Sequence, residues 1–588
     1  MASPLSKLFA NAAVAVDHRF GWDKLPKPLG IVTLIGLRTK LREQNLYDTG
    51  RGETPDPAPD DGHHLTARTL DGTYNDLSSP TMGAIGARFG RNVPVDRTYP
   101  ETLPELLEPS PRLVSRRLLT RDEFKPATIV NVLAGAWLQF EVHDWFSHGK
   151  NLPEEPFELE LDADDPWADP PMRIERTRND PFPDANGGAP TWVTTDSHWW
   201  DGSQIYGSEP AVSAALREGA GGRLRLDPDG QLPRDLDDKL DLTGVAGNFW
   251  LGLALLHTLF TREHNAIADR LAAEHPKWTD EQLFGKARLI TAALMAKIHT
   301  VEWTPAIIAH PTTKYGMRAN WYGILGKRLG RRSRNEVLGG IPGSATDHHG
   351  IPYSLTEEFV AVYRMHPLLP DDFTFRSIET DEVLQERTFR ELGVRDVRAR
   401  LDEVGFVDSF YSFGIAHPGA ITLHNYPRFL QELRRPDGTV VDLAATDILR
   451  IRERGVPRYN EFRRLFHLEA PKTFEELTDN AEWAQELREV YGDVEKVDLM
   501  VGLYAESLPK GFGFSDTAFR VFILMASRRL KSDRFFTRDY NAQTYTQTGL
   551  DWIDRTSMSD VLLRHYPELE PALRGVENPF APWRRVKR

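Results

Sequence analysis

The run TIVNVLAGAW (residues 128–137) has no charged residue and continues into LQFEVHDWFSH (138–148), where Gln139, His143, Asp144 and His148 crowd together. With 3.6 residues per helical turn, Gln139 and His143 share a face that runs back through Ala136 and Val132. The glutamine and the histidine therefore point into the core, where an unpartnered polar group is costly. Asp144 lies roughly 100° further round and must serve a different partner. His148 is read as a surface residue. Whatever this chain folds into has to bring partners to two faces of one buried helix.

Composition narrows the classes. The 588 residues contain no cysteine, which excludes disulfides, thiolate metal sites and a cysteine nucleophile, and suits a reducing compartment. The net charge of −14 argues against nucleic acid as a partner. The start, MASPLSKLFANAAVAVDHRFGWDKL, reaches Asp17, His18 and Arg19 too soon for a signal peptide, so a cytoplasmic protein is expected. Its apolar residues fit either a docked terminal helix or a helix lying on a membrane surface. The uncharged run Leu242–Thr261 has the length of a bilayer span, but Asn248, His257 and three glycines favour a buried core helix.

Helical periodicity dominates, over 127–148, 248–274, 280–301, 354–366, 516–533 and 559–565. The stretches GETPDPAPDDGHH (52–64) and LPEEPFELELDADDPWADPP (152–171) interrupt it, the second as an ordered surface excursion. No repeat or phosphate loop is present. These features predict one large, all-α domain over 1–588 with few short strands, and residues 1–65 packed on or near it.

A second signal lies in SLTEEFVAVYRMHPLLPDDF (354–373). Ser354 and Glu357 form a candidate capping box. Pro367 disfavours helix at the residue before it, so the helix is expected to end near His366, at the negative pole of its dipole. Tyr363 lies one turn earlier. On the residues alone, a capping histidine above a core tyrosine is the plainer reading.

Gln139-x-x-x-His143 and Tyr363-x-x-His366-Pro367-Leu368-Leu369-Pro370-Asp371 resemble the distal and proximal signatures of the peroxidase-cyclooxygenase superfamily, and most closely those of the fatty-acid α-dioxygenases. WWDGSQIYGS (199–208), TREHNAIADRL (261–271), AKIHTVEWT (296–304), RERGVPRYNEFRR (452–464) and ILMASRRLKSDRFFT (523–537) follow in family order. The resemblance implies haem b, with His366 as proximal iron ligand and His143, beside Gln139, on the distal side. Val142 stands where covalently tethered relatives have an acid, so the haem is expected to be non-covalent. Asp447 is expected to hydrogen-bond the proximal imidazole. The resemblance also implies calcium, held by Asp144, Ser197, the Trp199 carbonyl, Asp201 and Ser203. Hard oxygen donors suit that ion, and the family more often has threonine at the Ser197 position.

At the substrate end, His299, Thr304 and Arg529 match the family's fatty-acid carboxylate site, with Arg528 as the rival arginine. A guanidinium can hold a carboxylate in two-point geometry. The implied catalytic residues are Tyr363, His143 and Gln139. A hydroperoxide activates the haem, Tyr363 is oxidised, and its radical removes a Cα hydrogen from a long-chain fatty acid. O2 then adds to give a 2-hydroperoxy acid, which can lose CO2 to an aldehyde one carbon shorter. The alternatives are a haem peroxidase acting on small donors and a catalytically silent haem- or lipid-binding protein. The expected partners are the fatty acid, O2 and the activating hydroperoxide, with a peripheral membrane contact and no nucleic acid. A monomer is expected.

Overall fold

The computed structural model describes residues 4–50, 52, 62–181, 188–234, 241–245, 247–330, 333–393, 397–435 and 438–586. Most of the 52–64 stretch lies outside the described residues. Helices α1 (Pro4–Phe20) and α2 (Lys27–Gln44) pack against each other. They approach closely because Gly36 has no side chain: a Cβ there would come within 2.3 Å of the Ala13 Cβ.

Helix α3 (Val132–Trp145) is shorter than its periodicity suggests. The Asn131 side chain accepts the Ala134 N–H at 3.1 Å, which fixes the start. Phe146 is extended, which fixes the end. That bend turns His148 inward, contrary to the surface position expected for it. Its ring stacks on Phe89 at 4.2 Å and meets Glu357 at 3.0 Å. The excursion 152–171 is ordered: β1 (Leu152–Leu159) pairs antiparallel with β2 (Met172–Arg176) over a small core that includes Leu106, Phe157 and Ile174.

The uncharged run 242–261 becomes helical only at Leu251, where α4 (Leu251–Glu274) begins. Among the described residues no helix is long and apolar enough to cross a membrane. Helix α5 (Asp280–Ile298) starts at a complete capping box, Thr279 with Gln282, and widens into a π-turn over His299–Trp303. Helix α6 (Pro311–Tyr322) follows.

Helix α7 (Glu357–Val362) departs from expectation at both ends. Its N-cap is Thr356, which accepts from the Phe359 N–H at 3.2 Å, and Ser354 lies upstream. Tyr363 is already the C-cap, and His366 opens a separate 3-10 turn, His366–Leu368. The α7 dipole is therefore not the source of negative charge beside His366. The hairpin β3 (Asp372–Arg376) and β4 (Val383–Thr388) comes directly after. Helices α8 (Leu443–Glu453), α9 (Asp516–Ser532) and α10 (Met558–His565) complete the frame. One hydrophobic cluster joins residues from Trp22 to Trp583, with α3, α4 and α5 at its centre.

Candidate active site

Helix α3 contributes to three environments. Phe140, Glu141, Asp144 and Trp145 are fully buried, whereas Gln139, Val142 and His143 are partly open, so that face borders a gap in the core. Gln139 accepts from the Trp250 indole at 2.7 Å and donates to the Asn248 carbonyl at 3.3 Å. The His143 Nδ1 makes no hydrogen bond, and burial holds its imidazole at about 4. It is a neutral base at ordinary pH.

The His366 side chain is 27% exposed in this otherwise buried surrounding, with Nδ1 2.8 Å from Asp447 Oδ2. Asp447 is fully buried and also receives the Tyr426 hydroxyl (3.0 Å) and stands 3.0 Å from Arg364. Burial alone would push its carboxyl up; His366 and Arg364 outweigh that and hold it below the usual carboxylate value. With Nδ1 oriented by a carboxylate, Nε2 is the free lone pair, the arrangement found behind metal-ligating imidazoles. Orphaned His143 Nδ1, the open face and this proximal pair are a donor set that fits a haem.

The opposite face of α3 meets the loop 197–203. Ser203 N–H donates to Asp144 Oδ1 (2.5 Å) and to Asp201 Oδ1 (3.1 Å), while Ser197 Oγ donates to Asp201 Oδ2 (2.7 Å). The Trp199 indole donates to the Met82 carbonyl, leaving only its own carbonyl to offer. Asp144 Oδ2 has no partner. Burial, then the charge of Asp201, push the Asp144 carboxyl up to about 8. Two carboxylates this close in a dry interior repel unless a cation separates them. Arg288 donates to the Asp201 carbonyl at 3.1 Å and reaches the Asp201 carboxylate at 3.5 Å. No group of three or more His, Asp or Glu among the described residues is placed to hold a metal by itself. A calcium site here rests on hydroxyls and a carbonyl as well as the two aspartates.

The third environment is aromatic. Trp145 lies edge-on to both Tyr363 and His299, each with ring centroids 5.2 Å away, and under the Arg529 guanidinium at 4.4 Å. The Trp200 ring, edge-on to Trp145, lies 4.7 Å from the same guanidinium. Arg529 is 2% exposed, has no ion pair among the described residues, and leaves Nε and Nη2 unbonded. Arg528 differs: its Nη2 donates to the carbonyls of Ile351 (2.8 Å) and Pro352 (2.9 Å). His299 Nδ1 accepts from the Trp137 indole at 3.2 Å, so its proton is on Nε2. Burial, then Arg529, keep this imidazole neutral. The π-turn tightens the five-residue separation, and Thr304 Oγ1 donates to the His299 carbonyl at 2.8 Å.

His299 and Thr304 line one end of a largely apolar cavity that runs out between α2, α6 and α9. Phe522, on its wall, packs against the Tyr363 ring at 4.5 Å. The Tyr363 hydroxyl makes no hydrogen bond among the described residues, and burial raises its phenol well above the ordinary value. His299 and Thr304 line the cavity, Tyr363 and Arg529 meet His299 through Trp145, Gln139 and His143 share the open face of α3, and Asp144 joins 197–203. Sequence reasoning missed Trp145, Trp200 and Glu141. Glu141, a carboxylate four positions before Trp145 in an apolar stripe, was the available signal; it accepts the Trp200 indole at 2.8 Å.

Comparison with known proteins decides the family. The animal haem peroxidase profile matches residues 67–576. Alpha-dioxygenase PIOX of rice (Oryza sativa subsp. japonica) is 38% identical over 97% of this chain and 94% of its own. This chain belongs to the α-dioxygenases of the animal haem peroxidase family. The α-dioxygenase of pea (Pisum sativum) is 40% identical over 97% of this chain and 90% of its own. The crystal structure of the rice fatty acid α-dioxygenase superposes with a TM-score of 0.90 at 36% identity, covering 99% of this chain and 97% of the rice chain. As an α-dioxygenase, the chain is an oxidoreductase that incorporates O2, and its family is one of haem proteins.

Proposed function

We propose that this α-dioxygenase oxygenates the Cα of long-chain fatty acids, with Arg529, His299 and Thr304 holding the carboxylate and Tyr363 carrying the radical. The observation that carries the reading is Arg529: a buried guanidinium with no ion pair among the described residues, packed on Trp145 and Trp200, whose rings also meet His299 on the wall of an apolar cavity. A buried cation of this kind is stabilised by an arriving carboxylate. A rice relative solved with palmitic acid lends the substrate class.

His366 is the residue to hold the haem iron, with Asp447 orienting its Nδ1, and His143 and Gln139 border the distal side. Haem, once bound, supplies the one-electron oxidant when a hydroperoxide reacts. His143, neutral through burial, takes the hydroperoxide proton and returns it to the leaving oxygen. Tyr363 gives up its phenolic hydrogen. The tyrosyl oxygen then takes one hydrogen atom from Cα, leaving a carbon radical to which O2 adds. The peroxyl radical recovers a hydrogen atom from Tyr363, so the radical is regenerated and peroxide serves only to start the cycle. Fixing the acid by its head sets the oxidised carbon.

Calcium between Asp144 and the 197–203 loop would tie that loop to α3 and hold His143 in place. The continuous core supports reading the chain as a single unit.

The test is oxygen uptake by haem-loaded protein given palmitate and trace peroxide. Uptake is expected for the wild type and absent for Tyr363→Phe, which keeps the ring packing but has no hydroxyl to oxidise. Uptake that persists in Tyr363→Phe would overturn the assignment.

A further inference from the structure

The cavity between α2, α6 and α9 has a second polar end. At the start of α6, Thr313 donates its hydroxyl to the Ile308 carbonyl at 2.6 Å, and the Ile308 N–H donates to the Thr304 carbonyl at 3.0 Å. That end of α6 is thereby tied to the carboxylate site. Two helical turns further on, roughly 10 Å along α6, Asn320 also lines the cavity, beside Arg38 of α2 and Glu336. Arg38 Nη1 donates to Asn320 Oδ1 at 2.8 Å, and Nη2 stands 4.0 Å from Glu336 Oε1. The Asn320 Nδ2 donor has only the Met317 sulfur, 3.9 Å away. Arg38 and Glu336 are the only acidic or basic side chains apart from His299 among the described residues of this wall.

Charge at this end is out of balance. Glu336 meets Arg42 at 2.8 Å, Lys531 at 3.5 Å and Arg38 at 4.0 Å, three cations on one carboxylate. Arg38 and Arg42 sit one helical turn apart, where like charges oppose each other. The Arg38 and Glu336 side chains are only 15% and 19% exposed. Burial, then Arg42, bring the Arg38 guanidinium down to about 10, while Arg42 and Arg38 outweigh burial and hold the Glu336 carboxyl at about 2. Both are therefore ionised at neutral pH. A second carboxylate arriving here offsets the excess of cation and accepts charge-assisted hydrogen bonds.

We propose that this outer end recognises a carboxylate at the far end of the substrate, so that the enzyme takes long-chain α,ω-dicarboxylic acids, with Arg38 and Asn320 on the far carboxylate. The proposal rests on the fatty-acid reading of the cavity. One carboxylate occupies the Arg529, His299 and Thr304 end and presents its Cα to Tyr363, and the methylenes between cover the aliphatic wall. An ordinary fatty acid brings a methyl group against Arg38 instead, which takes water from the guanidinium and gives it no acceptor. Recognition at the far end leaves the reacting end as it is, so the preference should lie in KM rather than kcat.

Oxygen uptake by haem-loaded protein is measured with palmitate and with a series of diacids from dodecanedioate to octadecanedioate. The best diacid is expected to have a KM about tenfold below that of palmitate. Arg38→Leu is expected to lower the ratio of kcat/KM for that diacid to kcat/KM for palmitate by about tenfold. Glu336→Gln, which removes the competing anion, is expected to raise it. Opposite shifts do not arise from a general loosening of the cavity. Should Arg38→Leu not fold, the sign of the Glu336→Gln shift decides alone. Binding is read apart from turnover, as the rise in melting temperature that each acid gives the holoenzyme. Palmitate preferred to every diacid by the wild type, or a ratio that does not shift in opposite directions in the two variants, overturns the proposal. Failure of the fatty-acid reading would appear instead as absent oxygen uptake with every acid while the diacid still raises the melting temperature more than palmitate.

Discussion

The two ends of the site are built in opposite ways. At the proximal end the buried carboxylate is closely paired: His366, Arg364 and Tyr426 all lie within 3.0 Å of Asp447. Behind the cavity wall, Arg529 packs on Trp145 and Trp200, makes no ion pair among the described residues, and reaches the buried carboxylates Glu141 and Asp144 only at longer range. A closely paired buried network rigidifies what it surrounds; a buried cation without an ion pair favours an arriving carboxylate. The first end orients a group, and the second selects one.

The largest effect should come from removing the unanswered cation. Arg529→Leu is expected to lower kcat/KM for palmitate by about two to three orders of magnitude, because losing one partner of a buried charged pair costs ~3–5 kcal/mol. Its melting temperature should change little, since the guanidinium makes no ion pair among the described residues and acts on Glu141 and Asp144 only at longer range. Arg528→Leu should do the reverse. It leaves the Ile351 and Pro352 carbonyls without a donor, at about 1–3 kcal/mol each, and should cut thermal stability while sparing turnover per folded molecule. Paired calorimetry and oxygen uptake would decide it. If both variants lose activity alike with stability unchanged, the contrast between these neighbours is wrong.

At the answered end, Asp447→Asn is expected to cost roughly 10- to 100-fold in activity or metal affinity, the usual effect of removing a carboxylate behind a ligating imidazole. The haem absorption spectrum should shift with it. An unchanged spectrum and rate would mean that Asp447 serves only Arg364 and Tyr426.

These two ends were not equally legible in the chain. The Gln139/His143 stripe, the long helices and the short-strand content follow from periodicity, which sidechain burial enforces locally. Asp144 was separable from His143 because helical geometry alone puts the two on different faces. The ends of α7 were misread, because Thr356 and Ser354 are both competent caps and only tertiary packing chooses between them. His148 was misread for a similar reason: its inward turn depends on Phe146 leaving the helix and on Glu357, more than two hundred residues away. The choice of Arg529 over Arg528 on physical grounds required knowing which carbonyls lie within reach of Arg528, information that no local pattern contains.

A smaller effect concerns the clamp behind the distal helix. Calcium chelation should lower the melting temperature by a few degrees, following loss of a ligand that binds only the folded state. Activity should fall severalfold as the 197–203 loop loosens from α3. Asp144→Asn should mimic chelation and make the protein insensitive to it. A chelator that leaves both measurements unmoved would remove calcium from this site, and Asp144 would then be a carboxyl held protonated by burial and by Asp201.

The subtlest prediction separates the distal histidine from its surroundings by pH. Burial holds the folded His143 imidazole at about 4, below the ordinary histidine value. It is therefore the neutral form that faces the hydroperoxide at pH 5 to 8, and only acidification toward 4 removes the base. The lag before oxygen uptake should stay constant from pH 8 to 5 and lengthen about twofold near pH 4. An imidazole at its ordinary value would lengthen the lag already between pH 7 and 6. Stability carries the matching sign: the unfolded chain binds a proton at this position as pH falls through the ordinary value, before the folded chain does. His143 therefore destabilises the fold increasingly as pH drops toward 4 and has no such effect at neutral pH. His143→Gln should remove the dependence of the lag and only its own share of the acid destabilisation, since His148, His198, His257, His264 and His299 are likewise held low by burial. A lag that still responds to pH in that variant would assign the proton transfer to another group.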